Sequence, residues 1–185
     1  MAWTEGDISI DGVRIHYYRR GTGRPLVLAH GFSDNGKCWD RVATVLEDRY
    51  DVIAFDARHH GLSDKPADGS IGDGNDLVAL VEALGLEKAA LLGHSMGAGT
   101  VAQAAGERPE LFRCAILEDP AWRDGPMPPP AGGREMPRWS ELSVEKIIEL
   151  GKAQSPSWHA AEFPAWAESK QQFRIPEAWA TRRPA

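Results

Sequence analysis

The pentapeptide Gly93-His94-Ser95-Met96-Gly97 carries the residue types needed for nucleophilic catalysis. A serine hydroxyl attacks a carbonyl carbon when the chain presents it and nearby N–H groups stabilise the resulting oxyanion. In Gly-x-Ser-x-Gly the serine occupies a strained turn between a strand and a helix, and the flanking glycines leave room for neighbouring backbone. The pattern predicts Ser95 as the nucleophile. It also predicts the Met96 N–H, at the positive end of a helix, as an oxyanion donor.

The segments around this motif favour the same interpretation. Residues 89–92 form an apolar run typical of a buried strand, and the small residues of 98–105 favour a closely packed helix. The alternative is that Ser95 merely caps that helix, because serine is among the best capping residues. The strand before the motif and the helix after it support the catalytic interpretation.

A second strand end carries complementary residues. The apolar run 26–29 leads directly into His30, Gly31 and Phe32. An oxyanion site of this type takes its second N–H from such a loop, and Phe32 is the candidate donor. Gly31 would let the backbone approach a substrate closely. From its position, His30 is expected to hold the loop by hydrogen bonds and not to act as the base.

The rest of the first 119 residues predicts the scaffold. Continuous apolar runs at 26–29, 52–55, 89–92 and 115–117 are typical of parallel strands covered on both faces, and shorter strands are predicted at 8–10 and 13–18. Two apolar faces with helical spacing lie between these runs, formed by Trp39, Val42, Ala43 and Leu46 and by Leu77, Leu80, Val81 and Leu84, the second ending at Gly85. The fold class is therefore α/β, a mostly parallel sheet wrapped by helices.

The composition changes near residue 120, which divides the chain into a core at 1–119 and a cap region at 120–185. Ten of the 13 prolines follow Asp119. A helix capped by Ser143 is predicted in the second part, and 160–170 is predicted as a helix interrupted by Pro164. Since this part shows no strand pattern, we expect a partial helical cap over the sheet.

The sequence Phe55-Asp56-Ala57-Arg58-His59-His60-Gly61-Leu62-Ser63-Asp64, together with the serine motif, resembles the α/β-hydrolase family over residues 7–119. His59 stands where that family usually has glycine, a departure expected to affect loop shape more than chemistry. The resemblance implies an early antiparallel strand, a parallel sheet and the start of a variable cap. Serine at the nucleophile position implies acyl transfer, with a carboxylic ester as the default substrate. It argues against the dehalogenases and epoxide hydrolases of this fold, which attack with a carboxylate.

The remaining members of a catalytic triad are not evident. The family order is Ser, then Asp or Glu, then His. Asp119 follows the last predicted strand and is a candidate acid, although it could simply shape the entry to the cap. His159 is the one histidine after Ser95, and its surroundings resemble a cap helix. We therefore expect the catalytic histidine to come from a separate or missing C-terminal segment.

The predicted strand at 115–117 would be an unpaired apolar edge, which is an aggregation hazard. Three arrangements would cover this edge: strands from a second polypeptide, the remaining piece of a split enzyme, or a second copy of the chain in a homodimer. We favour the split enzyme, of which this chain is one piece. A non-catalytic binding protein and an acyltransferase are the alternative functions.

Composition excludes other classes. Acidic residues outnumber basic ones by 27 to 21, which disfavours nucleic-acid binding. No apolar run is long enough to span a membrane, and the N-terminus lacks a secretory pattern, so a cytoplasmic protein is expected. The two cysteines suggest neither a disulfide framework nor a zinc site. No cofactor or metal is expected, and the partner is a small-molecule acyl substrate.

Overall fold

The computed structural model describes residues 1–70, 72–120, 122 and 138–174. One six-stranded sheet contains β1 (Thr4–Ile10), β2 (Val13–Gly21), β3 (Arg24–Ala29), β4 (Tyr50–Phe55), β5 (Ala89–His94) and β6 (Phe112–Glu118). The helices are α1 (Asp40–Leu46), α2 (Gly74–Ala83), α3 (Met96–Glu107), α4 (Val144–Gln154) and α5 (Phe163–Gln172). Short 3-10 turns lie at Gly36–Trp39, Pro109–Leu111, Trp139–Glu141 and Ala160–Glu162.

The sheet confirms the predicted fold class. Its strand order is β1-β2-β4-β3-β5-β6. The strand β2 pairs antiparallel with both β1 and β4, whereas β3 to β6 are mutually parallel. Because parallel neighbours need crossover connections, the helices between them cover the two sheet faces, and the carboxyl ends of β3, β4, β5 and β6 share one edge.

The central strands are buried on both faces, as their continuous apolar runs predict. In β3, Val27 belongs to the cluster that includes α2 and α3, and its neighbour Leu28 belongs to the cluster that includes Trp39 and Ala43. Of the face predicted for α2, Leu77, Leu80 and Val81 are buried and Leu84 is partly buried, and Gly85 ends that helix with φ of 62°. The prediction for α1 was wrong at Val42, which is 39% exposed, because this seven-residue helix presents only a narrow stripe to the sheet.

Within the described residues, β6 forms the edge of the sheet that the sequence predicts. It pairs with β5, and its other side has no strand partner there. Phe112 is buried, but Ile116 is 53% exposed and Cys114 is also exposed. The prediction that the run 115–117 is covered on both faces was therefore wrong for the described residues, because β6 lies at the edge of the sheet. An apolar strand with an open hydrogen-bonding edge is a pairing surface.

The predicted cap region is described at residues 120, 122 and 138–174, and its two helices, α4 and α5, pack together. Ser143 caps α4 by accepting a hydrogen bond from the Lys146 N–H at 3.3 Å, as predicted. The predicted interruption at Pro164 was wrong. This proline lies in the first turn of α5, where its missing N–H breaks no helical hydrogen bond.

None of the described helices combines the length and the apolar character needed to cross a lipid bilayer.

The loop that follows β4 is organised by the buried carboxylate of Asp56. This carboxylate accepts hydrogen bonds from the N–H groups of Gly36 and Leu62, each at 2.7 Å, and from the Tyr18 hydroxyl at 3.2 Å. In the same loop, His59 is buried with φ of 67°. The left-handed conformation explains why a glycine suits this position, and histidine adopts it here at a cost in strain.

Two buried histidines make the stability of this core dependent on pH. Burial lowers the pKa of His30 and holds that of His60 well below the ordinary value. The unfolded chain protonates both near pH 6.5 while the folded chain keeps them neutral, so the free energy of unfolding falls as the pH decreases below about 6.5.

We expect urea unfolding to require less denaturant at about pH 5 than at about pH 7.5. His159 is exposed, so the variant His159→Gln is the matched control and should keep the same pH dependence. Equal unfolding midpoints at the two pH values would contradict the conclusion that the folded chain keeps His30 and His60 neutral.

Candidate active site

Ser95 occupies a strained turn between β5 and α3. Its backbone has φ of 51° and ψ of −109°, outside the ordinary regions for a side chain with a Cβ. Its N–H donates to the Glu118 carbonyl at 2.9 Å. Its hydroxyl makes no capping hydrogen bond to α3, so the geometry does not support the alternative that Ser95 is a plain helix cap. A serine at a strained turn between a strand and a helix is the arrangement that the sequence motif predicts.

The two flanking glycines allow backbone contacts that no side chain would permit. A Cβ on Gly97 would lie 2.2 Å from the Ala29 carbonyl oxygen and 2.6 Å from that of His30. A Cβ on Gly93 would lie 2.2 Å from the Gly97 carbonyl oxygen. The first turn of α3 therefore packs directly on the end of β3. This contact brings the two loops predicted to form the oxyanion site together.

The predicted oxyanion donors lie at the ends of these two neighbouring strands. Met96 is the first residue of α3, where backbone N–H groups have no partner within the helix. Phe32 lies in the loop after β3, and its ring contacts those of His60 and Phe173, with centroids 5.9 and 4.8 Å away. Gly31 lies against the His94 ring, since a Cβ there would be 2.6 Å from its Nδ1.

His30 and His60 have structural environments. The Nδ1–H of His30 donates to the Gly31 carbonyl at 2.8 Å, and its Nε2 accepts from the Ala57 N–H at 3.0 Å. Likewise, Nδ1–H of His60 donates to the Arg58 carbonyl at 2.8 Å and Nε2 accepts from the Ser33 N–H at 3.2 Å. With both ring nitrogens engaged and their pKa values lowered by burial, these histidines fix the loops after β3 and β4.

A cavity of about 440 Å³ lies between these strand ends and the cap. Ser95 and Phe32 are not among its lining residues, although their neighbours His94 and Gly31 are, so the cavity lies beside the serine turn. Its lining comprises His30, Gly31, Asp34, Cys38, Trp39, Arg41, His94 and Glu118 from the core and Trp158, His159, Glu162 and Trp166 from the cap. A core-to-cap cavity with aromatic walls and polar groups suits a small organic substrate.

Two ion pairs join the core to the cap at this cavity. Arg41 pairs with Glu162, and the buried Lys170 pairs with Asp34. None of these four residues was predicted as part of the site. Only Asp34, three positions after Gly31, carries a local signal, because its loop follows a predicted strand end. The other contacts depend on how the cap packs.

The two candidates for the rest of a triad lie in different settings. The register pairs His94 with Glu118, so Asp119 follows β6 at the level of Ser95. Its carboxylate is exposed and has no hydrogen bond or ion pair with the described residues. His159 caps the 3-10 turn Ala160–Glu162, its Nδ1 accepting from the Ala161 N–H at 3.2 Å. It also lines the cavity from the cap side.

Cys38 is a second nucleophilic group, and it lines the cavity beside the serine turn. Burial raises the pKa of its thiol to about 11. The thiol is therefore protonated at neutral pH, and a protonated thiol is a weak nucleophile. Of these two groups, only Ser95 lies at the strained turn between a strand and a helix.

The sequence pattern of the alpha/beta hydrolase fold matches residues 24–145, so the chain belongs to the alpha/beta hydrolase fold family. N-formylmaleamate deformylase of Pseudomonas putida is 35% identical over 174 residues, 91% of this chain and 62% of that protein. An epoxide hydrolase of Caballeronia sordidicola is 35% identical over 117 residues, 60% of this chain and 36% of that protein. The chain thus spans about a third to two thirds of these relatives.

Among solved structures, an N-formylmaleamic acid deformylase from Pseudomonas putida superposes with a TM-score of 0.70 at 29% identity. The match covers 91% of this chain and 68% of that one, so it includes cap residues as well as the core. By their names, these relatives are a deformylase and an epoxide hydrolase.

The packing of α3 on β3 gives a matched pair of variants. In Gly97→Ala the new methyl group would meet the Ala29 and His30 carbonyls, and we expect a loss of about 2 kcal/mol or more in the free energy of unfolding. In Gly99→Ala a Cβ meets nothing within 4 Å, so a gain of up to about 1 kcal/mol is expected from helix propensity. Urea unfolding followed by circular dichroism measures both. Equal effects of the two substitutions would contradict the close contact.

Proposed function

We propose that this chain is the nucleophile-bearing part of a serine hydrolase that cleaves a carboxylic ester or a related acyl substrate. The observation that carries the proposal is the conformation of Ser95, whose φ of 51° places it at a strained turn while its hydroxyl caps nothing. Strain of this kind is retained where the surrounding structure enforces it, commonly at active sites. The glycines at 93 and 97 permit the close backbone packing on either side of it.

The reaction follows from the elements around Ser95. A base removes the hydroxyl proton as Oγ attacks the substrate carbonyl carbon, and the carbonyl oxygen becomes an oxyanion. The N–H groups of Met96 and Phe32 stabilise that charge. Collapse breaks the bond to the alcohol, which leaves with the proton, and an ester forms on Ser95. Water then attacks this acyl-enzyme and releases the acid and the free serine.

We further propose that the catalytic histidine comes from a separate or missing C-terminal segment, because all six histidines of these 185 residues lie among the described ones. His30 and His60 use both ring nitrogens in structural hydrogen bonds, and His159 caps a turn of the cap. The open edge of β6 supports the proposal, because further strands would pair there and bring new strand-end loops beside Ser95. Asp119 is the proposed acid. A homodimer that pairs through β6 is the alternative cover for this edge.

The relatives bear on the choice of chemistry. N-formylmaleamate deformylase, by its name, removes a formyl group, and its match extends over 91% of this chain. Attack on an amide carbonyl follows the same course as attack on an ester, so this likeness supports acyl chemistry. The epoxide hydrolase match covers 60% of the chain. Epoxide hydrolases that resemble this fold attack the substrate with a carboxylate, whereas this chain has Ser95 at the nucleophile position.

Hydrolysis of p-nitrophenyl acetate tests the proposal. We expect Ser95→Ala to lower kcat/KM by about a thousandfold or more, because no nucleophile remains. Ser157 is exposed on the cap, so Ser157→Ala is the matched control and should retain wild-type activity.

Intact-mass analysis with a fluorophosphonate probe gives a readout independent of turnover. One adduct is expected on Ser95 in the wild type and none in Ser95→Ala. If the wild type, isolated together with any segment that completes it, gives neither an adduct nor turnover, the proposal is contradicted and a binding protein on this fold is favoured. Formation of a new ester when an alcohol is added would instead identify an acyltransferase.

A further inference from the structure

The C-terminal end of α5 forms polar contacts with the loop that follows β3. Lys170 donates to the Ser33 hydroxyl at 2.9 Å and pairs with the carboxylate of Asp34. Two residues further on, Gln172 accepts a hydrogen bond at 2.9 Å from the side chain of Asn35. These contacts join positions separated by about 137 residues, so they exist only when the cap sits on the core.

The contacts continue past the end of the helix. The Phe173 ring lies 4.8 Å from that of Phe32 and 4.8 Å from that of His60. The Arg174 N–H donates to the His59 carbonyl at 3.1 Å. The segment 170–174 therefore touches both loops that border the candidate oxyanion site.

Burial makes the Lys170 contact specific. The residue is 6% exposed, and its ammonium also lies over the Trp166 ring at 5.3 Å from the centroid. Burial of an ammonium group costs free energy unless an anion and hydrogen-bond acceptors surround it, and here Asp34 and Ser33 do so. Removal of the Lys170 charge would leave the Asp34 carboxylate without its cation. Asp34 in turn closes the loop, since its N–H donates to the Gly31 carbonyl at 3.1 Å.

The loop needs such support. Ser33 has φ of 65°, a conformation that is unfavourable for a residue other than glycine. On the core side, the Ser33 N–H donates a hydrogen bond to Nε2 of His60 at 3.2 Å. On the cap side, the Ser33 hydroxyl accepts a hydrogen bond from Lys170 at 2.9 Å. Phe32, the candidate oxyanion donor, lies between Gly31 and this doubly held residue.

We propose that Lys170 is a positioning residue, which fixes the oxyanion loop at residues 31–34 through Ser33 and Asp34 and so makes catalysis depend on a seated cap. The assignment of a catalytic effect rests on the proposed function. The ordering of the loop by the cap does not.

The experiment compares Lys170→Met with the wild type. Methionine retains the length and apolar contact of lysine but lacks the charge. Hydrogen exchange measured by mass spectrometry should be about tenfold faster for the backbone amides of residues 30–35 and unchanged in β4. For p-nitrophenyl acetate, kcat should fall about tenfold or more while KM stays within about threefold, because the oxyanion forms in the transition state.

Two further variants keep the test decisive. Lys152→Met removes an exposed lysine from α4 and should match the wild type in both measurements. Ser33→Ala removes one acceptor of Lys170 while the pair with Asp34 remains, so it serves if Lys170→Met does not fold. We expect it to speed exchange in the same peptide.

The outcomes are separable. Unchanged exchange at 30–35 in the variant that folds would overturn the proposal. Faster exchange with wild-type kcat would overturn the positioning role, because a loosened loop would not affect the reaction. If the wild type, assayed together with any segment that completes it, shows no turnover dependent on Ser95, the proposed function has failed, and the exchange comparison alone supports or overturns the ordering of the loop by Lys170.

Discussion

The packing of the first turn of α3 on the last residues of β3 is the constraint on which the candidate site depends. Gly97 lies where a methyl group would overlap the carbonyls of Ala29 and His30. This contact brings the Met96 N–H and the loop of Gly31 and Phe32 to one edge of the sheet, with Ser95 at the turn between strand and helix. Without it, a serine and two N–H groups from distant parts of the chain would have no common position.

The loops at this edge are fixed by buried polar groups, whose burial makes unpaired atoms costly. The neutral rings of His30 and His60 each join two backbone groups, and Asp56 collects two N–H groups and a hydroxyl. Rigid loops suit a site that must hold its donors in place before charge develops. The same design makes the fold sensitive to acid, since protonation of either ring removes an acceptor.

The cap contributes through charge as well as shape. Arg41 and Glu162 pair across the cavity, and Lys170 reaches the core loop directly. Such contacts couple the seating of the cap to the order of the oxyanion loop. At the opposite end of the site, the exposed residues of β6 leave an edge suited to further strands.

Local sequence determined the positions of the strands, the turn at Ser95 and two helix limits, because apolar periodicity, glycine placement and capping residues act over a few positions. The Ser143 cap and the Gly85 stop are examples. It did not predict the exposure of Val42, the place of Pro164 or the partners of Lys170. Those depend on which face a helix turns to the sheet and on contacts between residues about 137 positions apart, such as Lys170 with Ser33. Only the packed tertiary structure decides them, since no local pattern encodes a contact that forms when two separate elements meet.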